Sequence, residues 1–74
     1  MTNLPRISGR ELRKALERKG FVFVRQKASH MMLRRMTPPV LTVSIPDHKE
    51  IAFGTLRGIL RDVGMTVDEL NELL

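Results

Sequence analysis

The chain has 74 residues, 42% of them hydrophobic, with three aromatics and no cysteine. That is enough for one small aliphatic core. It excludes disulfide staples and zinc–thiolate clusters, and the longest apolar run, Phe21–Val24, is far too short to span a membrane.

The net charge of +5 hides an asymmetry: residues 1–35 hold ten Lys and Arg against two acidic residues, and residues 36–74 hold three against six. A basic half on a small domain is the electrostatic footprint of a polyanion binder, with an ordinary solvated surface as the plainer alternative. Met1-Thr2-Asn3-Leu4 lacks the basic start and apolar stretch of a signal peptide, so a cytoplasmic protein is expected. The first few residues read as a linker and 1–74 as a single domain.

Ser8 and Glu11 have the spacing of a capping box, which opens a helix. Leu12, Ala15 and Leu16, extended by the stem of Lys19, fall on one helical face, and Gly20 supplies the stop. The β-branched and aromatic stretch Phe21–Gln26 predicts a strand, Lys27-Ala28-Ser29 a short turn, and His30–Met36 a second strand. Thr37-Pro38-Pro39 interrupts the pairing because proline cannot donate to a ladder. Val40–Ile45 is a third strand, with Leu41, Val43 and Ile45 alternating against Val40, Thr42 and Ser44, and Pro46 ends it.

Leu56, Ile59, Leu60 and Val63 form an apolar stripe on a helix over Phe53–Val63, closed by Gly64. Thr66 and Glu69 make a second capping box, and Val67, Leu70, Leu73 and Leu74 line a short last helix. The short connections favour an antiparallel meander with helices on one sheet face. The expected fold is therefore α+β: a helix, a three-stranded antiparallel sheet and one or two C-terminal helices, in a double-stranded-RNA-binding-domain-like topology.

For chemistry, His30 comes first. It sits between Arg25-Gln26-Lys27 and Arg34-Arg35, and on a strand it shares a face with Met32 and Arg34. An imidazole ordinarily titrates near pH 6.5 and can give or take a proton at neutral pH, while adjacent cations would hold a phosphate and offset charge as it builds. Such a set suits cleavage of RNA by its own 2′-hydroxyl. From the residues alone, a surface histidine with no role is the simpler account.

His48, after Ile45-Pro46-Asp47, reads as a side chain that ties down a loop. Two histidines without cysteine or a carboxylate cluster make no closed metal site, and no phosphate-binding Gly loop or serine elbow occurs. No metal and no cofactor are expected. Met31 and Met32 face opposite sides of a strand, which favours core plus sheet surface over a peptide-binding surface. The last two helices have the layout of a helix-turn-helix, but the second carries Asp68, Glu69 and Glu72 and no Lys or Arg, so phosphate would repel it.

The stretch Phe21–His30 resembles the HicA (YcfA-like) toxin family, in which a helix ending in Gly leads to an apolar strand, a basic pair and Gly-Ser-His. The likeness continues through Val43-Ser44-Ile45-Pro46-Asp47-His48, Gly54-Thr55-Leu56 and Gly64-Met65-Thr66, in order and over nearly the whole chain. It departs where the family's Gly-Ser-His is Ala28-Ser29-His30.

The resemblance implies a toxin of a toxin-antitoxin system, a metal-independent endoribonuclease that cleaves mRNA and arrests translation. It also implies a HicB-type antitoxin that blocks the active site. The family's essential histidine falls on His30, and Ser29, Lys27, Arg25 and Arg34 are the expected supporting or RNA-binding residues. Contact with membrane, or with DNA by this chain alone, is not expected. The readings from other classes are a non-catalytic double-stranded-RNA-binding module, which needs no His30, and the helix-turn-helix DNA binder.

Overall fold

In the computed structural model, which describes residues 3–74, helix α1 spans Gly9–Glu17. Part of the expected N-terminal linker, Met1 and Thr2, lies outside the described residues. The capping box is formed as the spacing predicts: the Glu11 N–H donates to Ser8 Oγ at 3.1 Å, and the Ser8 N–H to Glu11 Oε1 at 2.9 Å. At the other end Gly20 takes φ +89°, and the N–H groups of Gly20 and Phe21 reach back to the carbonyls of Glu17 and Leu16. This stop corrects two expectations. Lys19 lies past the helix and is exposed, and the Phe21 N–H is committed to Leu16, so the first strand starts one residue later than predicted.

Strands β1 (Val22–Lys27), β2 (His30–Arg35) and β3 (Leu41–Pro46) form one antiparallel sheet in the order β1-β2-β3. Pro46, expected to follow β3, is its last residue, which an edge strand tolerates because a missing N–H there need not break a ladder. Helix α2 (Phe53–Val63) ends at Gly64 with φ +70°, and α3 (Val67–Leu73) opens with the Thr66–Glu69 capping box. The fold is α+β as expected, and its element order is compatible with a double-stranded-RNA-binding-domain-like topology.

Both longer helices pack on one face of the sheet. Leu12, Ala15 and Leu16 of α1 and Leu56, Ile59, Leu60 and Val63 of α2 meet Met31, Leu33, Val43 and Ile45 from the sheet, with Leu70 of α3 and Ile51 closing the core. Burying each aliphatic side chain contributes about 1.5–3 kcal/mol, which is how a core with few aromatics can hold the fold. The other sheet face has no helix over it.

One irregularity decides what that open face displays. Phe23 pairs with Leu33, but the next pair is Arg25 with Met32, so Val24 is a bulge. Strict alternation from half-buried Phe23 would turn Arg25 and Lys27 toward the helices. The extra residue resets the phase, so both stand on the open face and Gln26 takes the helix side opposite Met31.

Candidate functional site

On the open face the strands form three rows: Lys27–His30–Pro46, Arg25–Met32–Ser44 and Val22–Arg34–Thr42. His30 is exposed and directly opposite Lys27, a separation of about 5 Å between Cβ atoms for such a pair, with Arg25 on the diagonal at about 7–8 Å. A shallow concavity of about 340 Å³ is lined by Lys27, Ala28, His30, Met32 and Ser44. Arg34 shares the face but stands four residues along β2 from His30, about 13 Å at strand rise. It is too far to touch the phosphate that His30 would touch. Arg35 points the other way, its guanidinium 5.4 Å from the Phe21 ring centroid and its Nη2 donating to the Pro39 carbonyl at 3.3 Å.

The hairpin tip places Ser29. Its two central residues are Ala28 and Ser29, and Ala28 takes φ +52°. The turn thus needs a left-handed residue at the position where the family pattern has Gly, and alanine adopts it at a cost of about 1–2 kcal/mol. Two hydrogen bonds hold the tip: Gln26 Nε2 donates to the Ala28 carbonyl at 3.2 Å, and the Asp47 N–H to the Ser29 carbonyl at 2.7 Å. Asp47 in turn accepts from Arg10 Nε at 3.2 Å, and the Gly9 N–H donates to the His48 carbonyl at 2.9 Å. The start of α1 therefore buttresses the loop that buttresses Ser29.

His48 does tie down this loop, but through its backbone carbonyl; its side chain is exposed. Sequence reasoning missed Gly9, where any Cβ would run into the Pro46 carbonyl oxygen. A glycine just inside a capping box was the only signal. It also passed over Ser44, although the alternation in β3 had already set Thr42 and Ser44 together on one face.

The electrostatics of the face are one-sided. No Asp or Glu occurs between Glu17 and Asp47, so the strands bring no carboxylate to it. Among the described residues the side chains of Arg25, Lys27 and Arg34 have no ion pair or hydrogen bond. Also among the described residues, no three His, Cys, Asp or Glu side chains gather as a metal-binding group, and no helix is long and apolar enough to cross a membrane.

The family model of the HicA toxin of bacterial toxin-antitoxin systems matches residues 9–65. The match runs from the first helical residue through the strands to the turn after α2. The chain belongs to the HicA toxin family. No match was found among curated proteins. Family membership makes a toxin role and an antitoxin partner the frame for the site.

Proposed function

We propose that the protein is a toxin that cleaves mRNA as a metal-independent endoribonuclease, with His30 as its proton-transfer residue. The observation that supports this reading most is the setting of His30: an exposed imidazole opposite Lys27 and diagonal to Arg25, on a face without carboxylates. In the reaction the 2′-hydroxyl oxygen attacks the adjacent phosphorus and the bond from phosphorus to the 5′-oxygen breaks. A 2′,3′-cyclic phosphate and a 5′-hydroxyl result.

One proton leaves the 2′-oxygen and one reaches the departing 5′-oxygen. His30 performs one of these transfers, with water or the RNA as its counterpart. Lys27 holds the scissile phosphate and offsets the charge that grows on its oxygens, and Arg25, one row away, holds the RNA beside it. Ser29 at the hairpin tip orients the scissile group. The metal-free route is supported by the donor set, since cations around His30 would repel a metal ion. A HicB-type antitoxin that covers this face would silence the protein, and the cytoplasm, where mRNA is translated, is the place of action.

The test is His30→Ala beside the parent protein, with single-stranded RNA in the presence of EDTA. The parent should leave cyclic or 3′-phosphate ends and should fail on RNA with a 2′-deoxy sugar at the cut. Loss of general acid–base catalysis costs about 10²–10⁴-fold in rate. Truncating an exposed side chain, by contrast, should move stability by no more than about 0.5 kcal/mol. A fully active, folded His30→Ala protein sinks the catalytic assignment and leaves a non-catalytic RNA-binding module. Activity that disappears with EDTA and returns with magnesium sinks the metal-free route.

A further inference from the structure

The spacing of the cations on the open face carries information beyond their number. Lys27, Arg25 and Arg34 stand in three successive rows, and rows on one face of a sheet are about 6.8 Å apart. The phosphates of an extended single strand repeat at much the same interval. From row to row the cations sit on β1, β1 and then β2, a line that runs along the strands and drifts inward. On the β3 side of that line lie Met32, Ser44 and Thr42: a thioether surface and two exposed hydroxyls, with no charge.

We infer that the open face is a track for single-stranded RNA running along the β-strands, with three consecutive phosphates on Lys27, Arg25 and Arg34 and the bases over Met32, Ser44 and Thr42. The inference rests on the reading that this face handles RNA, and it fixes what that reading leaves open. Arg34 does not serve the scissile phosphate; it holds a phosphate two nucleotides away. A base lies flat on the Met32 thioether because the face carries no aromatic ring to stack on, and the Ser44 and Thr42 hydroxyls meet base edges. The sheet is about 10 Å across its three strands, wide enough for one strand with its bases laid to one side and too narrow for a duplex to seat both backbones.

The experiment uses the full-length His30→Ala protein, so that RNA is bound but not consumed, and a fluorescein-labelled heptanucleotide of mixed sequence titrated at several salt concentrations. Each phosphate contact with a single strand contributes about 0.7 to the slope of log affinity against log salt, so three contacts give about 2. Adding Arg25→Ala, Lys27→Ala or Arg34→Ala should each lower the slope by about 0.7, and Arg34→Gln should match Arg34→Ala. These side chains are exposed, so the fold is not at stake. Thr42→Val and Ser44→Ala should keep the slope and change the ranking of homopolymeric A, C, G and U heptamers.

An RNA hairpin stem should bind more weakly than the open strand. A slope indifferent to Arg34, a stem that binds as well as the strand, or base preferences untouched by Thr42 and Ser44 each overturn the track. So does a protein that binds no RNA even at low salt, which would give the face to a protein partner. The two readings separate cleanly: cleavage by the parent with a slope indifferent to Arg34 leaves the nuclease and removes the track, whereas row-by-row slopes without cleavage do the reverse.

Discussion

Arg10 and Arg13 on α1 each close on a carboxylate, Asp47 and Glu17, whereas Arg25, Lys27 and Arg34 on the open sheet face close on none. Both regions come from the strongly basic first half of the chain, and by composition they look alike. Arg13 also lies 4.0 Å over the Phe23 ring, and Arg18, which caps the helix, donates to the Leu73 carbonyl, so the arginines of this region act as ties between elements. Surface ion pairs of this kind contribute only about 0–1 kcal/mol, but they neutralise the charge that a polyanion would otherwise feel. The difference teaches that positive charge marks a binding face only where the fold leaves it unanswered.

The strongest way to break this comparison is to remove two cations from each region and measure RNA binding. Arg25→Ala with Lys27→Ala should cost about tenfold per contact at 50 mM salt, roughly a hundredfold together, because 0.7 counterions are released per phosphate. Arg10→Ala with Arg13→Ala should change affinity by less than threefold and lower the melting temperature instead. If the α1 pair dominates RNA binding, the site has been placed on the wrong side of the sheet.

The structural role of α1 is tested next by Gly9→Ala. The helix starts so close to β3 that a methyl group meets the Pro46 carbonyl oxygen, a backbone atom that cannot swing aside. Overpacking of this kind costs about 1–3 kcal/mol, and each kcal/mol lowers the melting temperature of a domain this size by about 4–8 °C. The shift should be read beside the amide protection of Asp47, whose N–H holds the hairpin tip. A variant that melts like the parent would show that the approach of α1 to β3 can relax, and that the tip does not depend on it.

Much of this architecture was written locally. Ser8–Glu11 and Thr66–Glu69 announce their helices, Gly20 and Gly64 close theirs, and the alternation of β3 separates its two faces without help from the rest of the chain. The candidate site was legible in type and incomplete in arrangement. His30 with its cations could be picked out, but the Val24 bulge that turns Arg25 and Lys27 onto its face is a matter of pairing between two strands, which no local pattern specifies. The pairing of Arg10 with Asp47 spans 37 positions and was invisible for the same reason. The close seat of Gly9 against Pro46 is also a tertiary fact.

Ala28 sharpens the same point at smaller scale. The departure from the family's Gly was visible, but whether the turn needed a left-handed residue was not, and φ +52° settles that it does. Ala28→Gly should remove about 1–2 kcal/mol of backbone strain and return about 0.4–1 kcal/mol through the freer unfolded chain. The net gain is about 0.5–1 kcal/mol, seen as a melting temperature about 2–8 °C higher. No gain would mean that the hydrogen bonds from Gln26 and Asp47 already relieve the turn.

The smallest effect belongs to the acidic last helix, on the far side of the core from the open sheet face. The backbone N–H of Thr66 donates to Glu69 Oε1 at 3.0 Å, and the Glu69 N–H donates to Thr66 Oγ1 at 3.1 Å. The bond from the Thr66 backbone, then that with its side chain, and lastly the charge of Lys19 hold the Glu69 carboxyl below its ordinary value. A lowered value in the folded state means that this contribution is complete above the ordinary carboxylate range and disappears as pH falls through the lowered value. Acid should therefore fray α3 at its capped end, while the hairpin, built from strands without carboxylates, keeps its amide protection over the same range. Hydrogen exchange of Leu70 and Asn71 between pH 5 and pH 3, set against that of Met31 and Met32, reads the difference. Glu69→Gln keeps an oxygen acceptor and should flatten the acid dependence of α3 alone; a variant that titrates like the parent would move the acid-sensitive group elsewhere.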